Sequence, residues 1–295
     1  MNLHIFGASS LIGETFIDLM NMEAPEFQKV LYSRNKINFI NFDIKNLQEF
    51  KNYNFGNNSV IVSFCPIWVL IEFLKYLDNN NKKFAKQIKS IIACSSSSSL
   101  TKKYAFSNFD RQLATKLELS ENLLLDMSRK NNISCVVLQP TLIYGISKSY
   151  TDQNIYKIIH LMRKFPLIIV PDEGGMRQPI HALELSKVVL FFLRKTLNRK
   201  NKTLKKLPLG GDEELSYKEL LKRIKINLPV NDKAKKCLIL SLPQKIFIII
   251  IFPVAFISAK TFEALLRISS NLSGFNKVKK ILKIRPNKFP AHKFY

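Results

Sequence analysis

The stretch "HIFGASSLIG", residues 4–13, joins the end of an apolar run to the start of a helix-like segment. "NLHIF" (2–6) has the length and content of a buried strand, and "IGETFIDLMNM" after it reads as a helix. Gly7 stands where the strand ends, and Gly13 falls inside the first helical turn. Glycine at 7 lets the chain turn tightly. The helix N-terminus beyond it then offers bare amides and a positive dipole end, which suit a pyrophosphate. Gly13 lets that helix pack closely on its neighbours. Glycine spacing alone is weak; its position between a first strand and a first helix gives it weight.

Outward from this loop, short apolar runs alternate with helix-length segments. "KVLYS" (29–33), "INFINFD" (37–43), "SVIVSF" (59–64), "SIIACSS" (90–96) and "SCVVLQP" (134–140) read as strands. "IWVLIEFLKYL" follows the fourth strand. Residues 110–128 carry Leu113, Leu117, Leu124 and Met127 at helical spacing, with Asn108 or Asp110 as cap. Such a βαβα order predicts an α/β fold, a Rossmann-like, doubly wound parallel sheet. Pro140 closes the sixth strand and Gly145 turns the chain beyond it. From about residue 200 the texture changes to loop and amphipathic helix. The expected division is a dinucleotide-binding domain over 1–199 and a smaller, α-rich C-terminal lobe over 200–295.

With 295 residues, 46% apolar and 23% charged, the chain can bury a large core. Its net charge of +24 reads either as attraction to an anionic partner or as a Lys/Asn-rich surface spread over loops such as "NNNKK" and "NRKNK". No stretch interleaves basic and aromatic residues, which argues against a nucleic-acid partner. Cys65, Cys94, Cys135 and Cys237 lie far apart without a CxxC pair, so buried thiols in a reducing compartment are expected. The four histidines form no cluster, so no metal site is expected. The first apolar run breaks at Gly7, unlike a signal peptide, and a cytoplasmic protein is the expectation.

"GASSLIG" (7–13) resembles the GxxGxxG loop of the extended short-chain dehydrogenase/reductases, the NAD(P)-dependent sugar-nucleotide epimerase/dehydratase group. The resemblance covers about two-thirds of the chain and implies hydride transfer to or from a nicotinamide cofactor on a nucleotide-sugar or similar small substrate. It assigns Gly7, Ser9, Ser10, Leu11, Ile12 and Gly13 to the cofactor phosphates. Ser10 stands in place of the middle glycine, where its hydroxyl could donate to phosphate. Ser33 and Arg34 close the second strand without an acidic residue, which suits a ribose 2′-phosphate and favours NADP over NAD. Asp43 matches the aspartate beside the adenine, Phe64 in "SFCP" runs along the cofactor, and Pro140 ends the strand beneath it. Each also has a plain reading, as a turn aspartate or a surface arginine in a basic chain.

The resemblance further implies a substrate-binding hydroxyl after the fifth strand, where "CSSSSSL" (94–100) offers Ser97 first and Ser96 next. It also calls for a tyrosine as proton carrier with a lysine four residues later, which lowers its pKa and holds the nicotinamide ribose. Lys116 matches the lysine, but Gln112 stands at the tyrosine position. An amide neither gives up nor takes a proton near neutral pH, so Gln112 is left as a substrate contact. Tyr104 could fold toward the site from a loop. Tyr32/Lys36 and Tyr144/Lys148 have the spacing but lie off this helix. Gln139 replaces the family arginine of the "RP" pair. Downstream, "GMRQPIHALELSKVV" assigns Arg177 and His181 to the substrate, and Glu184 to a structural role. The other class of function open to such a chain is a non-catalytic NADP(H)-binding scaffold or sensor.

"IFIIIIFPVAFIS" (246–258) is apolar for thirteen residues, short of the ~20 a membrane span needs, and Pro253 interrupts it. With the lysine-rich tail beyond, it reads either as a buried helix of the small lobe or as peripheral contact with an anionic membrane.

Overall fold

The computed structural model describes residues 1–34, 39–172, 175–198 and 202–292. Its strands are β1 (Asn2–Phe6), β2 (Gln28–Ser33), β3 (Ile40–Asn41), β4 (Ser59–Ser63), β5 (Ile88–Cys94), β6 (Ser134–Pro140), β7 (Ile143–Tyr144), β8 (Leu167–Pro171), β9 (Ile180–His181), β10 (Leu204–Gly210), β11 (Leu238–Leu242) and β12 (Asn276–Lys277). An eight-stranded sheet runs β12-β10-β6-β5-β4-β1-β2-β3, parallel throughout. β1 lies between β2 and β4, with Ile5 opposite Leu31 and Val62.

Alternation along the strands explains the layers. Leu3, Ile5, Val60, Val62, Val136 and Leu138 face a core closed by α1 (Leu11–Glu23) and, later in the chain, by the helix at Ala182–Asn198. Phe6, Ile61, Ile91, Cys135 and Val137 face the opposite core, built with α2 (Ile67–Asn80). A parallel strand covered on both faces reads as continuous apolar sequence, which is why these runs were recognisable. Aromatic packing fills the second core: Tyr32 stacks on Phe6 at 4.2 Å between ring centroids.

The remaining α-helices among the described residues are α3 (Phe84–Gln87), α4 (Ser98–Thr101), α5 (Asn108–Lys130), α6 (Ile155–Lys164), α7 (Ala182–Asn198), α8 (Tyr217–Asn227), α9 (Gln244–Ile251), α10 (Val254–Ile257), α11 (Ala259–Ser269) and α12 (Val278–Leu282). α5 is capped by neither Asn108 nor Asp110. Ser107 holds the N-cap position with extended backbone, and Asp110 is a first-turn acid. The strand expected over 37–43 is only Ile40–Asn41; residues 35–38, Lys36 included, lie outside the described residues.

A third core joins Ile155, Ile159 and Met162 of α6 to Leu220, Leu221 and Ile224 of α8, beside the two-stranded β11-β8 sheet. β10 and β12, both beyond residue 200, return to the central sheet next to β6. Residues on both sides of position 200 thus contribute to the third core and to the central sheet. Pro253 breaks the apolar run into α9 and α10. Phe247 and Ile251 are buried while Ile249, Phe256 and Ile257 are exposed. No helix among the described residues is long and apolar enough to cross a membrane.

Candidate active site

Three strand ends shape the first cavity. Gly7 follows β1 with φ +70°, a conformation that L side chains rarely adopt, and a Cβ there would stand 2.7 Å from the Cys65 amide nitrogen. Gly13 brings α1 against the turn so closely that a Cβ would meet the Gly7 carbonyl oxygen at 2.4 Å. Ser10 caps α1: its Oγ accepts from the Gly13 amide at 3.1 Å and donates to the Gly7 carbonyl at 2.7 Å. The hydroxyl expected to reach outward is thus engaged inside the loop. Leu11 and Ile12 supply the other first-turn amides. Ser9 Oγ and Ser33 Oγ lie 2.5 Å apart, tying the loop to the end of β2. Gly7, Ser9, Ser10, Ser33, Arg34, Asp43 and Phe64 together line a cavity of about 280 Å³.

The five serines after β5 divide their work. Ser95 Oγ donates to Glu121 Oε1 at 2.6 Å, and Ser99, buried, accepts from the Gln139 side-chain amide at 2.8 Å. The same amide donates to Glu121 Oε2 at 2.8 Å. Ser96 Oγ bonds the amide and hydroxyl of Ser98, shaping the start of α4. Ser97 donates its backbone amide to the Pro140 carbonyl at 2.9 Å, which fixes it over the end of β6. Ser96, Ser97 and Ser98 line a second cavity of about 520 Å³, together with Lys102, Lys157, Arg177, Tyr217 and Arg267.

Neither a protein-family model nor a curated protein matches the chain. Solved structures do. The UDP-glucose 4-epimerase of Thermotoga maritima, solved with UDP-glucose, superposes with a TM-score of 0.64 at 11% identity, over 99% of this chain and 96% of that one. The dTDP-glucose 4,6-dehydratase of Bacillus anthracis, in complex with NAD, gives 0.59 at 14% identity over 99% and 93%. The UDP-N-acetylglucosamine 4-epimerase of Bacillus cereus gives 0.57 at 12% over 82% and 85%. The chain has the fold of the extended short-chain dehydrogenase/reductases.

The two positions that the resemblance assigned to a tyrosine and a lysine, 112 and 116, lie on α5. Gln112 and Lys116 are both exposed on it, and Lys116 Nζ rests 4.6 Å from the Trp68 ring centroid. Tyr104 is 91% exposed. All three line a surface depression separate from the serine cavity, so the structure does not bring Tyr104 or Lys116 to Ser97. The two tyrosines set aside because they lie off this helix are both core residues. Tyr32 bonds His4 Nδ1 at 2.7 Å, and Tyr144 Oη accepts from the Ala291 amide at 2.8 Å.

Arg177 reaches the serine cavity, yet its guanidinium is largely committed. It donates to the carbonyls of Met176 and Ser270 and, at short range, of Arg267, so it clasps the C-terminal end of α11, where the helix dipole favours a cation. Burial lowers its pKa to about 10. His181 lies outside that cavity: its Nδ1 accepts from the Leu183 amide and its ring packs on Tyr144. Glu184 accepts from the His181 amide at 3.1 Å and from Asn287 at 2.9 Å.

Lys102, Lys157, Tyr217 and Arg267 carried no signal in the sequence. Arg267 comes from α11, some 170 residues after the serines, and pairs with Asp110 of α5 at short range. Lys102 Nζ bonds the other Asp110 oxygen at 2.8 Å. Burial, and then the neighbouring Arg267, hold Lys102 below the usual lysine range. Four cations line the cavity, and the adjacent carboxylates of Asp110 and Glu263 offset only part of their charge. Among the described residues no group of three potential metal ligands occurs.

Proposed function

We propose that the protein binds a nicotinamide dinucleotide, NADP in preference to NAD, and carries out hydride-transfer chemistry of the epimerase/dehydratase kind on a nucleotide-sugar or similar anionic small molecule, in the cytoplasm. One observation carries the reading: the cavity at the ends of β1, β2 and β4 is lined by Gly7, where any Cβ would strike backbone, and Gly13 packs the first turn of α1 onto the same loop just as closely. Such a cradle, beside the first turn of a helix, fits a pyrophosphate held by backbone amides. Arg34 on the same cavity would take the 2′-phosphate, and Asp43 the adenosine end. When bound, the dinucleotide supplies the hydride acceptor or donor at its nicotinamide.

The chain's own residues would do the rest. Ser97 would orient a substrate hydroxyl, and Lys157 and Arg267 would hold its phosphate. With an amide at 112, Lys102 is the residue we assign to proton transfer. It lines the cavity with Ser97, and its lowered pKa brings it nearer the working range of an acid/base. The exposed Gln112 favours a second reading, a dinucleotide-binding scaffold or sensor without turnover.

Melting shifts with NADPH and NADH test the first part. Wild type should be stabilised by both, and Arg34→Glu should lose at least tenfold in NADPH affinity while NADH binding changes little. No shift with either coenzyme would overturn the reading. Binding of the coenzyme without turnover on any nucleotide-sugar tried would favour the scaffold instead.

A further inference from the structure

Beyond the basic cavity lies an apolar one of about 390 Å³, lined by Leu161, Phe165, Phe247, Ile250, Leu265 and Ile268 among others. The two share walls. Ile158 of α6 and Tyr217 of α8 line both. α11 turns Ala264 and Arg267 toward the basic cavity, and Leu265 and Ile268 toward the apolar one. On α6, Lys157 belongs to the first and Leu161 to the second, one helical turn apart.

Nothing in the nicotinamide chemistry calls for this second space, and its walls offer little that could bind a base or a sugar. At its border Ile250 and Leu161 remain half-exposed, at 45% and 47%. A cationic cavity sharing walls with an apolar one matches a molecule with an anionic head and a hydrocarbon tail. We propose that the substrate cavity takes an amphiphilic phosphate ester, its phosphate among Lys102, Lys157 and Arg267 and its alkyl or isoprenyl chain in the apolar cavity. The occupant is a single chain entering the protein, and the charge of the adjoining cavity fixes which end goes where. This rests on the proposed function only in using the same cavity for the substrate head.

The test uses the full chain and calorimetric titration with butyl, hexyl and octyl phosphate below their micelle concentrations, with octyl glucoside as the uncharged control. Each buried methylene strengthens binding by up to about fourfold. Octyl phosphate should bind at least tenfold tighter than butyl phosphate, and tighter than octyl glucoside. Ile250→Asn and Leu161→Asn, both uncharged changes at half-exposed positions, should bring octyl phosphate close to the butyl level and affect butyl phosphate far less. Lys157→Gln should weaken every phosphate. Equal affinity for the butyl and octyl esters would overturn the proposal. So would sedimentation with phosphatidylglycerol vesicles without any chain-length dependence, which would assign the apolar face to a bilayer surface. Melting shifts with NADPH run on the same samples keep the two readings apart. Chain-length dependence without a coenzyme shift supports this proposal while removing the dinucleotide one; a coenzyme shift without chain-length dependence does the reverse.

Discussion

Gln139, at the end of β6, donates its side-chain amide to both Glu121 and Ser99, each at 2.8 Å. The contact fastens α5 to the serine loop and to the sheet, so the loop that carries Ser97 is held by a buried polar network. Glu121 is 1% exposed, and Lys206 stands 3.4 Å from its carboxylate. Removing the carboxylate strips Ser95, Gln139 and Lys206 of an acceptor at once. Glu121→Ala should cost about 3 kcal/mol in urea unfolding, and Glu121→Gln clearly less.

Gly13 should tolerate no side chain. In Gly13→Ala the new Cβ would lie 2.4 Å from the Gly7 carbonyl and 2.7 Å from that of Ala8, both backbone, so α1 must move off the loop. We expect a loss of about 2 kcal/mol in stability. Coenzyme-induced melting shifts should vanish in the same variant, because the cradle itself is displaced.

Lys102 should be visible in a pH profile. Its pKa lies below the ordinary lysine value, first through burial and then through Arg267. If it donates the proton, turnover falls as pH rises through that lowered pKa. Lys102→Arg keeps the charge and the Asp110 pairing but cannot release a proton, so the rate should drop about 100-fold and the alkaline limb disappear. A variant retaining the wild-type limb would exclude the assignment.

His4 couples stability to acid. It is 1% exposed, with Nδ1 on the Tyr32 hydroxyl and Nε2 2.9 Å from the Phe55 carbonyl oxygen. Burial lowers its pKa from the ordinary 6.5, so the unfolded chain binds this proton more readily than the folded one. The neutral ring's advantage is whole above 6.5 and shrinks as pH falls from there toward the folded value. Stability should therefore decline below pH 6.5 by up to about 1.4 kcal/mol per unit, and His4→Gln should flatten that part of the curve.

Sequence alone was enough for the parallel sheet. The strands at 2–6 and 134–140 begin and end where the apolar runs do, because a strand buried on both faces admits little polar sequence. The helix expected over 110–128 forms as Asn108–Lys130, its apolar spacing being a local property. The glycine loop was legible for a related reason: close backbone approach leaves room for one residue type only, and that constraint is written at single positions.

Tertiary structure decided the company these residues keep. Arg177 points to the cavity its motif suggested, but its donors hold carbonyls of α11 and its neighbour. Tyr104 faces solvent, away from Ser97. Lys102 and Arg267 meet on Asp110 although 165 positions separate them in the chain. Periodicity reports which face of an element is buried. Which distant side chains share a cavity depends on how whole helices pack, and no local pattern carries that.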